Sequence, residues 1–425
     1  MAKITAIRGF KDILPQESGK WHYVERIARQ VFANYGIHEI KIPLLEKTEL
    51  FKRGIGETTD IVEKEMYTFL DKGDEYLTLR PEATASVIRA YLEHNMNTAD
   101  PLTKLFTIGP MFRRERPQKG RFRQFNQINV EFIGQKDPRV DSELISMLMH
   151  FLTKLGLSGL SLEINSLGCP ECRPDFRENV RKLLRDREDE LCSDCKRRLE
   201  TNPLRIFDCK NERCQALIRE VPTILEYICS DCGRHFESVK KYLELLGVAY
   251  KINTRMVRGL DYYTQTAFEI TTESLGAQNA IAGGGRYDGL TRILGGPDIP
   301  GIGFAIGLER LISLVPGDNE DFTLSPHIFI AALGEKAQEF SFSLCNALRK
   351  AGIRAEMDFS DKGLKSQMKR SDKLNCLQTL IIGERECEDR QAPLRNMVTK
   401  EQEIIDIGTI DGAVKAIIDG SRNKK

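Results

Sequence analysis

The 425-residue chain has one tryptophan, six histidines and a net charge of only +1, with 41% of its residues hydrophobic and 29% charged. So even a balance of charge excludes attraction to nucleic acid through a global positive field, and any such contact must come from local patches. No run approaches the ~20 apolar residues that cross a bilayer. The opening MAKITAIRGFKDILP has no apolar core followed by a cleavage signal, so a cytoplasmic protein with no membrane partner is expected. Two nucleotide-binding patterns are also missing. There is no G-x4-G-K-[ST] loop, and Gly301-x-Gly303-x-x-x-Gly307 puts its third glycine one residue late for a dinucleotide fingerprint. A nucleotide site in this chain has to be built from arginines instead. Neither an internal repeat nor a low-complexity tract is present.

Cysteine is plentiful, with eleven in all, and unevenly placed. Eight form Cys169-x-x-Cys172, Cys192-x-x-Cys195, Cys209-x4-Cys214 and Cys229-x-x-Cys232, with His235 close behind. Disulfides rarely persist in the reducing compartment expected of a chain without an export signal. Short turns of this spacing instead present paired thiolates to a tetrahedral zinc ion. The alternatives are reduced structural thiols or an iron–sulfur cluster, and the spacing leaves open one metal or two and which pairs combine. Cys345, Cys376 and Cys387 are scattered and read as packing residues.

Residues 106 to 134, FTIGPMFRRERPQKGRFRQFNQINVEFIG, gather five arginines and one lysine: Arg113, Arg114, Arg116, Lys119, Arg121 and Arg123. Pro117 and Gly120 break the pattern, as a loop joining two antiparallel strands requires. Beyond the loop, Ile128, Val130 and Phe132 alternate with Gln127, Asn129 and Glu131, which period two sends to the opposite face. A cationic loop beside a polar-lined strand suits phosphates and a small polar ligand; a solvated basic hairpin is the plain alternative. Elsewhere, apolar spacing predicts helices over 18–34, 82–95, 141–155 and 235–246 and strands in IHEIKIPLLE and SLEINSLG. Residues 251–315 give β signals with dense glycine. After the polar break PGDNEDFTLSP, residues 327–421 alternate strands with helices at 335–351 and 363–374, which predicts an α/β unit with a mainly parallel sheet.

Three glycine-rich pieces follow the cysteines, each with an arginine: RGLDYY at 258–263, GGGRYDG at 283–289 and GIGFAIGLER at 301–310. With the basic loop, they resemble the class II aminoacyl-tRNA synthetases. Gly36 to Pro43 with its following apolar pair is similar to motif 1, FRRE with its loop and strand to motif 2, and GLER ending in Arg310 to motif 3. RGLDYY and GGGRYDGL resemble the two signatures of the histidyl-tRNA synthetase family. The resemblance covers essentially the whole chain. It implies an α+β catalytic domain with a mainly antiparallel sheet flanked by helices, in two parts (1–166 and 251–318). A small helical cysteine-rich insertion (167–250) would separate them, and a C-terminal α/β anticodon-binding domain (326–425) would follow. Regulatory relatives that sense histidine without charging tRNA drop the anticodon domain and degrade the signatures, both of which are intact here.

The activity so implied is ATP-dependent ligation of L-histidine to tRNA(His) through histidyl-adenylate, with Mg2+ accompanying ATP, in a homodimer. Carboxylate attack on the α-phosphate builds negative charge that preorganised guanidinium groups stabilise. By resemblance, Arg113 and Arg258 serve this step as catalytic residues, Arg258 taking a place that a metal ion holds in related enzymes. Arg121 and Arg310 join Arg113 on ATP. Glu131 and Tyr263, with Tyr262 adjacent, read the imidazole, while Glu82, Thr84 and Gln127 bind the α-ammonium. Ala83 stands where the family usually has glycine. Arg116, Gln118 and Lys119 would touch the acceptor end of tRNA, and Lys362, Lys365, Lys369, Arg370 and Lys373 form a basic helical surface suited to phosphates. Zinc in the insertion would be structural.

Overall fold

The computed structural model describes residues 3–422 except 58, 118–119, 276–278, 318–321 and 323–324. The chain divides into two units, residues 1–319 and 320–425.

The first unit is built on an eight-stranded sheet in the order His38–Glu39, Thr103–Phe112, Gln124–Ile133, Gly301–Gly307, Ala280–Arg286, Thr264–Thr272, Leu160–Ser166 and Lys251–Ile252. The five inner pairings are antiparallel and only the two-residue edge strands run parallel to their neighbours. The predicted motif 2 hairpin is present, pairing Thr103 with Ile133 through to Phe112 with Gln124. IHEIKIPLLE is not one strand: it yields only His38–Glu39 and Leu45–Lys47, separated at Pro43, which cannot donate to a ladder. Buried Arg80 stitches this broken segment down, donating to the carbonyls of Ile42, Pro43 and Pro110 at 2.8, 3.2 and 2.9 Å.

Helices pack on the sheet where the apolar spacing predicts them. Pro15–Asn34 starts with proline in its first turn and buries Trp21, Val24, Ile27, Ala28, Val31 and Phe32 on one stripe. Pro138–Lys154 is capped by the Asp137 carboxylate and lies beside Ser230–Leu245. A joint between these two is fully polar: Asp141, buried, accepts from Arg286 at 2.6 Å and pairs with His235 at 2.9 Å. His235 is thus used in the core and not with the neighbouring cysteines.

The insertion consists of short helices around its own small core, including Phe176, Val180, Leu184, Leu199 and Ile218 with Cys195 and Cys214. The second unit carries a five-stranded sheet in the order Ala355–Met357, Ile328–Ala332, Gln378–Ile382, Gln391–Asn396, Gln402–Asp406. Its first two pairings are parallel and its last two antiparallel, so the sheet is mixed and not mainly parallel as expected.

Candidate active site

The site forms over the centre of the large sheet, where glycine strands leave room for side chains. Residues 127–133 are buried on both faces of the strand, so the polar face predicted from period two is covered by the unit and not turned to solvent. Gln127, Asn129 and Glu131 are 9%, 1% and 1% exposed. Glu131 lies in register with Gly303, and a Cβ there would fall 1.8 Å from Glu131 Oε2. Only glycine permits that approach. Thr84 Oγ1 donates to Glu131 Oε1 at 2.7 Å, and burial pushes the Glu131 carboxyl up to about 8.

Glu82 and Thr84 reach the pocket from the start of the Thr84–Glu93 helix. The two Glu82 oxygens accept from the backbone N–H groups of Thr84 at 2.6 Å and Ala85 at 2.9 Å, satisfying helix-end donors. Burial nonetheless raises the Glu82 carboxyl. Ala83 is fully buried between them.

Tyr262 and Tyr263 are both buried, their rings 4.7 Å apart, and Tyr287 meets Tyr262 edge-on at 6.0 Å. Tyr287 was given no role from sequence, although GGGRYDG contains it. Its hydroxyl faces Glu131 and burial raises its pKa well above the usual phenol value. Four buried oxygens, Gln127 Oε1, Glu131 Oε2, Tyr262 Oη and Tyr287 Oη, lack a well-formed hydrogen bond among the described protein atoms, with Tyr287 only facing Glu131 and Tyr262 only facing Thr84. Each unmet group of this kind costs about 1–3 kcal/mol. Buried oxygens of this kind on Glu131, Tyr262 and Tyr287, whose side chains adjoin one another, suit a small ligand carrying hydrogen-bond donors.

Arg258 borders this pocket. Its guanidinium lies 5.4 Å over the Tyr263 ring and pairs with Glu269 at 3.1 Å. Gly283 makes the placement feasible, because a Cβ there would meet both terminal nitrogens of Arg258 at 2.4 Å. Arg113 donates to the Pro81 carbonyl at 2.9 Å and lies 5.4 Å over the Phe125 ring, so the motif 2 arginine abuts the Glu82 segment. Arg121 pairs with Glu115 at 3.0 Å and Arg310 donates to the Ala280 carbonyl at 2.8 Å. Burial, then the nearby Arg121 charge, pulls the Arg310 pKa down, so two cations converge where a polyanion would relieve their repulsion. Glu65, raised by burial and by Glu115, adjoins the same group and gave no sequence signal.

Arg116 is exposed on the loop, while Gln118 and Lys119 lie outside the described residues. In the second unit, Lys362, Lys365, Lys369 and Lys373 are exposed on or beside the Leu364–Lys373 helix. Arg370 differs, being paired with Asp358 at 3.2 Å. The eight cysteines come together as two tetrads, Cys169, Cys172, Cys229, Cys232 and Cys192, Cys195, Cys209, Cys214.

The profile of a family described as Histidyl-tRNA synthetase matches residues 9–172 and 209–311, and one described as Anticodon binding domain matches 327–417. The stretch between the first two matches contains Cys192 and Cys195. The chain is 54% identical over 414 residues to a histidine--tRNA ligase of Geobacter metallireducens, covering 97% of this chain and all of that one. It is 55% identical over 399 residues to that of Geobacter sulfurreducens, covering 94% and 96%. The apo crystal structure of Staphylococcus aureus histidyl-tRNA synthetase superposes with a TM-score of 0.82 at 38% identity, covering 98% of this chain and 100% of that one. Near end-to-end identity above one half, on a fold shared with a solved relative, places the chain in the histidyl-tRNA synthetase family.

Proposed function

We propose that this chain joins L-histidine to tRNA(His) in two steps: histidine and ATP form histidyl-adenylate and diphosphate, then the histidyl group passes to the terminal ribose of the tRNA, releasing AMP. The observation that carries this reading is the buried polar group around Glu131: Tyr287 faces Glu131 and meets Tyr262, Tyr262 packs on Tyr263, and the Arg258 guanidinium lies over the Tyr263 ring. A pocket that hydrogen-bonds a polar side chain rejects analogues lacking it by large factors.

Glu131, oriented by Thr84, reads one imidazole nitrogen, with the hydroxyls of Tyr262, Tyr263 and Tyr287 around the ring. Glu82, Thr84 and Gln127 receive the α-ammonium, and Ala83 packs beneath. Arg258 spans the histidine carboxylate and the α-phosphate, and Arg113 takes the other side of that phosphate. Their charges meet the negative charge that grows on the phosphate oxygens as the carboxylate attacks and diphosphate leaves. Arg121 and Arg310 hold the outer phosphates, with Mg2+ accompanying ATP. Arg116, Gln118 and Lys119 meet the acceptor end, and the lysines of the 364–373 helix meet tRNA phosphates. The insertion cysteines hold structural zinc and take no part in the chemistry. A homodimer in the cytoplasm completes the reading, supported by exposed Leu44, Leu45, Phe69, Leu70 and Tyr76 around motif 1.

Histidine-dependent exchange of diphosphate into ATP tests it. Exchange is expected with histidine and not with other amino acids; none with histidine, or equal exchange with several, rejects the assignment.

A further inference from the structure

Eight cysteines spread over 64 positions have sorted themselves into two groups of four, each with its sulfurs within 4.8 Å of one another. Within the tetrads, Cys169–Cys172, Cys172–Cys232 and Cys192–Cys209 sulfurs stand 3.4, 3.8 and 3.8 Å apart. Four thiolates at ~2.3 Å from one tetrahedral zinc are about 3.8 Å from each other. A polynuclear iron–sulfur cluster would hold some of them farther apart, because the four thiolates are then divided between two or four irons. Backbone N–H groups also point at the sulfurs: Cys229 N to Cys172 Sγ at 3.1 Å, Cys192 N to Cys214 Sγ at 3.2 Å and Asn211 N to Cys209 Sγ at 3.4 Å. Donors so placed stabilise thiolate ligands and fix their orientation.

Each tetrad is wired to RGLDYY. The first joins the start of the insertion to the beginning of the Ser230–Leu245 helix. From Cys172 the chain enters the Arg173–Arg185 helix, and Arg173 donates to the carbonyls of Leu167, at 3.1 Å, and Tyr263. Leu167 N and Gly168 O bond Gln265 at 2.7 and 3.0 Å, and Gln265 has φ of 47°, a conformation that needs such support in a residue other than glycine. The second tetrad brackets the chain from Cys195 to Cys209. Within that bracket Asn202 donates to Asp261 at 2.9 Å and Arg205 to the Gly259 carbonyl at 2.7 Å. Between insertion and loop lies an open cleft, lined by Arg173, Phe176 and Arg205 together with Met256, Arg258 and Tyr263.

We propose that the chain binds two zinc ions, one in Cys169/Cys172/Cys229/Cys232 and one in Cys192/Cys195/Cys209/Cys214, and that these ions position residues 258–265 against the amino-acid pocket. The cysteines are positioning residues, and their effect on ligand affinity rests on the function proposed above, whereas the ion count does not.

Full-length protein purified without chelator is expected to hold two zinc ions per chain by elemental analysis, and cobalt-substituted protein to show thiolate charge-transfer bands that saturate at two ions. Cys172→Ser and Cys195→Ser should each lower the count by one, and Cys172→Ser/Cys195→Ser should abolish it. Cys195→Ser should weaken histidine binding by calorimetry ~10-fold or more, the scale of lost outer-shell support, while Cys195→His restores both the ion and the affinity. Cobalt saturation at one ion or none, or iron with visible absorption, overturns the two-site assignment without any variant needing to fold. Unchanged histidine affinity in a chain that has lost the second ion overturns positioning. Two ions in a wild-type chain that binds no histidine rejects the proposed function and leaves the metal sites standing.

Discussion

Glu131 shows how far one residue's behaviour follows from its surroundings. Burial holds it protonated up to about pH 8, against 4.5 for an ordinary glutamate. Between those values the folded chain binds one proton more than the unfolded chain. Its stabilising contribution is therefore fully present below the unfolded pKa and is lost as pH rises through 8. At about 1.4 kcal/mol per pKa unit the effect amounts to a few kcal/mol. Glu131→Gln, which never ionises, is expected to gain stability relative to the parent between pH 6 and pH 9, measured by chemical denaturation without histidine, and to lose histidine binding. A stability difference that does not change with pH would place the Glu131 pKa in the ordinary range. Alternation along NQINVEF showed which residues share a face with Glu131, but not that both faces are covered, since that depends on the partners of the strand. Tyr287 and Glu65 were missed for the same reason: their neighbours are remote in sequence.

Among the elements, the legible ones have a strong local pattern. The Pro15–Asn34 helix has an apolar stripe and a proline start, and the motif 2 hairpin has a proline–glycine break between two alternating runs. The sheet of the second unit is mixed because Gln391–Asn396 and Gln402–Asp406 add to it antiparallel with no helix between them, and the first of these strands contains Pro393, which weakens a strand signal. In fact Pro393 lies just past the residues paired with Gln378–Ile382, where its missing N–H interrupts nothing on that side. The Ala280–Arg286 strand, AIAGGGR, lies in the stretch read as β with dense glycine, and Gly283 is what lets Arg258 lie against the sheet. Gly283→Ala would displace that guanidinium while changing no charged group. It is expected to slow single-turnover adenylate formation by ~10²-fold, about as much as Arg258→Ala, in line with loss of a transition-state donor. A rate within a few-fold of the parent in either variant would remove Arg258 from the chemistry.

At the scale of the whole molecule, the residues assigned to histidine and ATP, 82 to 310, all belong to the first unit, and the second unit has its own core from Ile328 to Ile417. A chain ending at residue 319 is expected to keep histidine-dependent diphosphate exchange within about tenfold and to charge tRNA ~10²-fold or more less efficiently, the scale of a lost second binding module. Equal loss of both activities would mean that the first unit does not work alone.

The partition also has an optical consequence. Trp21 and all eleven tyrosines fall before residue 320, so the second unit has no chromophore stronger than phenylalanine. Near-ultraviolet absorbance and intrinsic fluorescence therefore report on the first unit, and unfolding of the second passes unseen in them. Backbone circular dichroism senses both, so the difference between the two signals isolates the dark unit without a label.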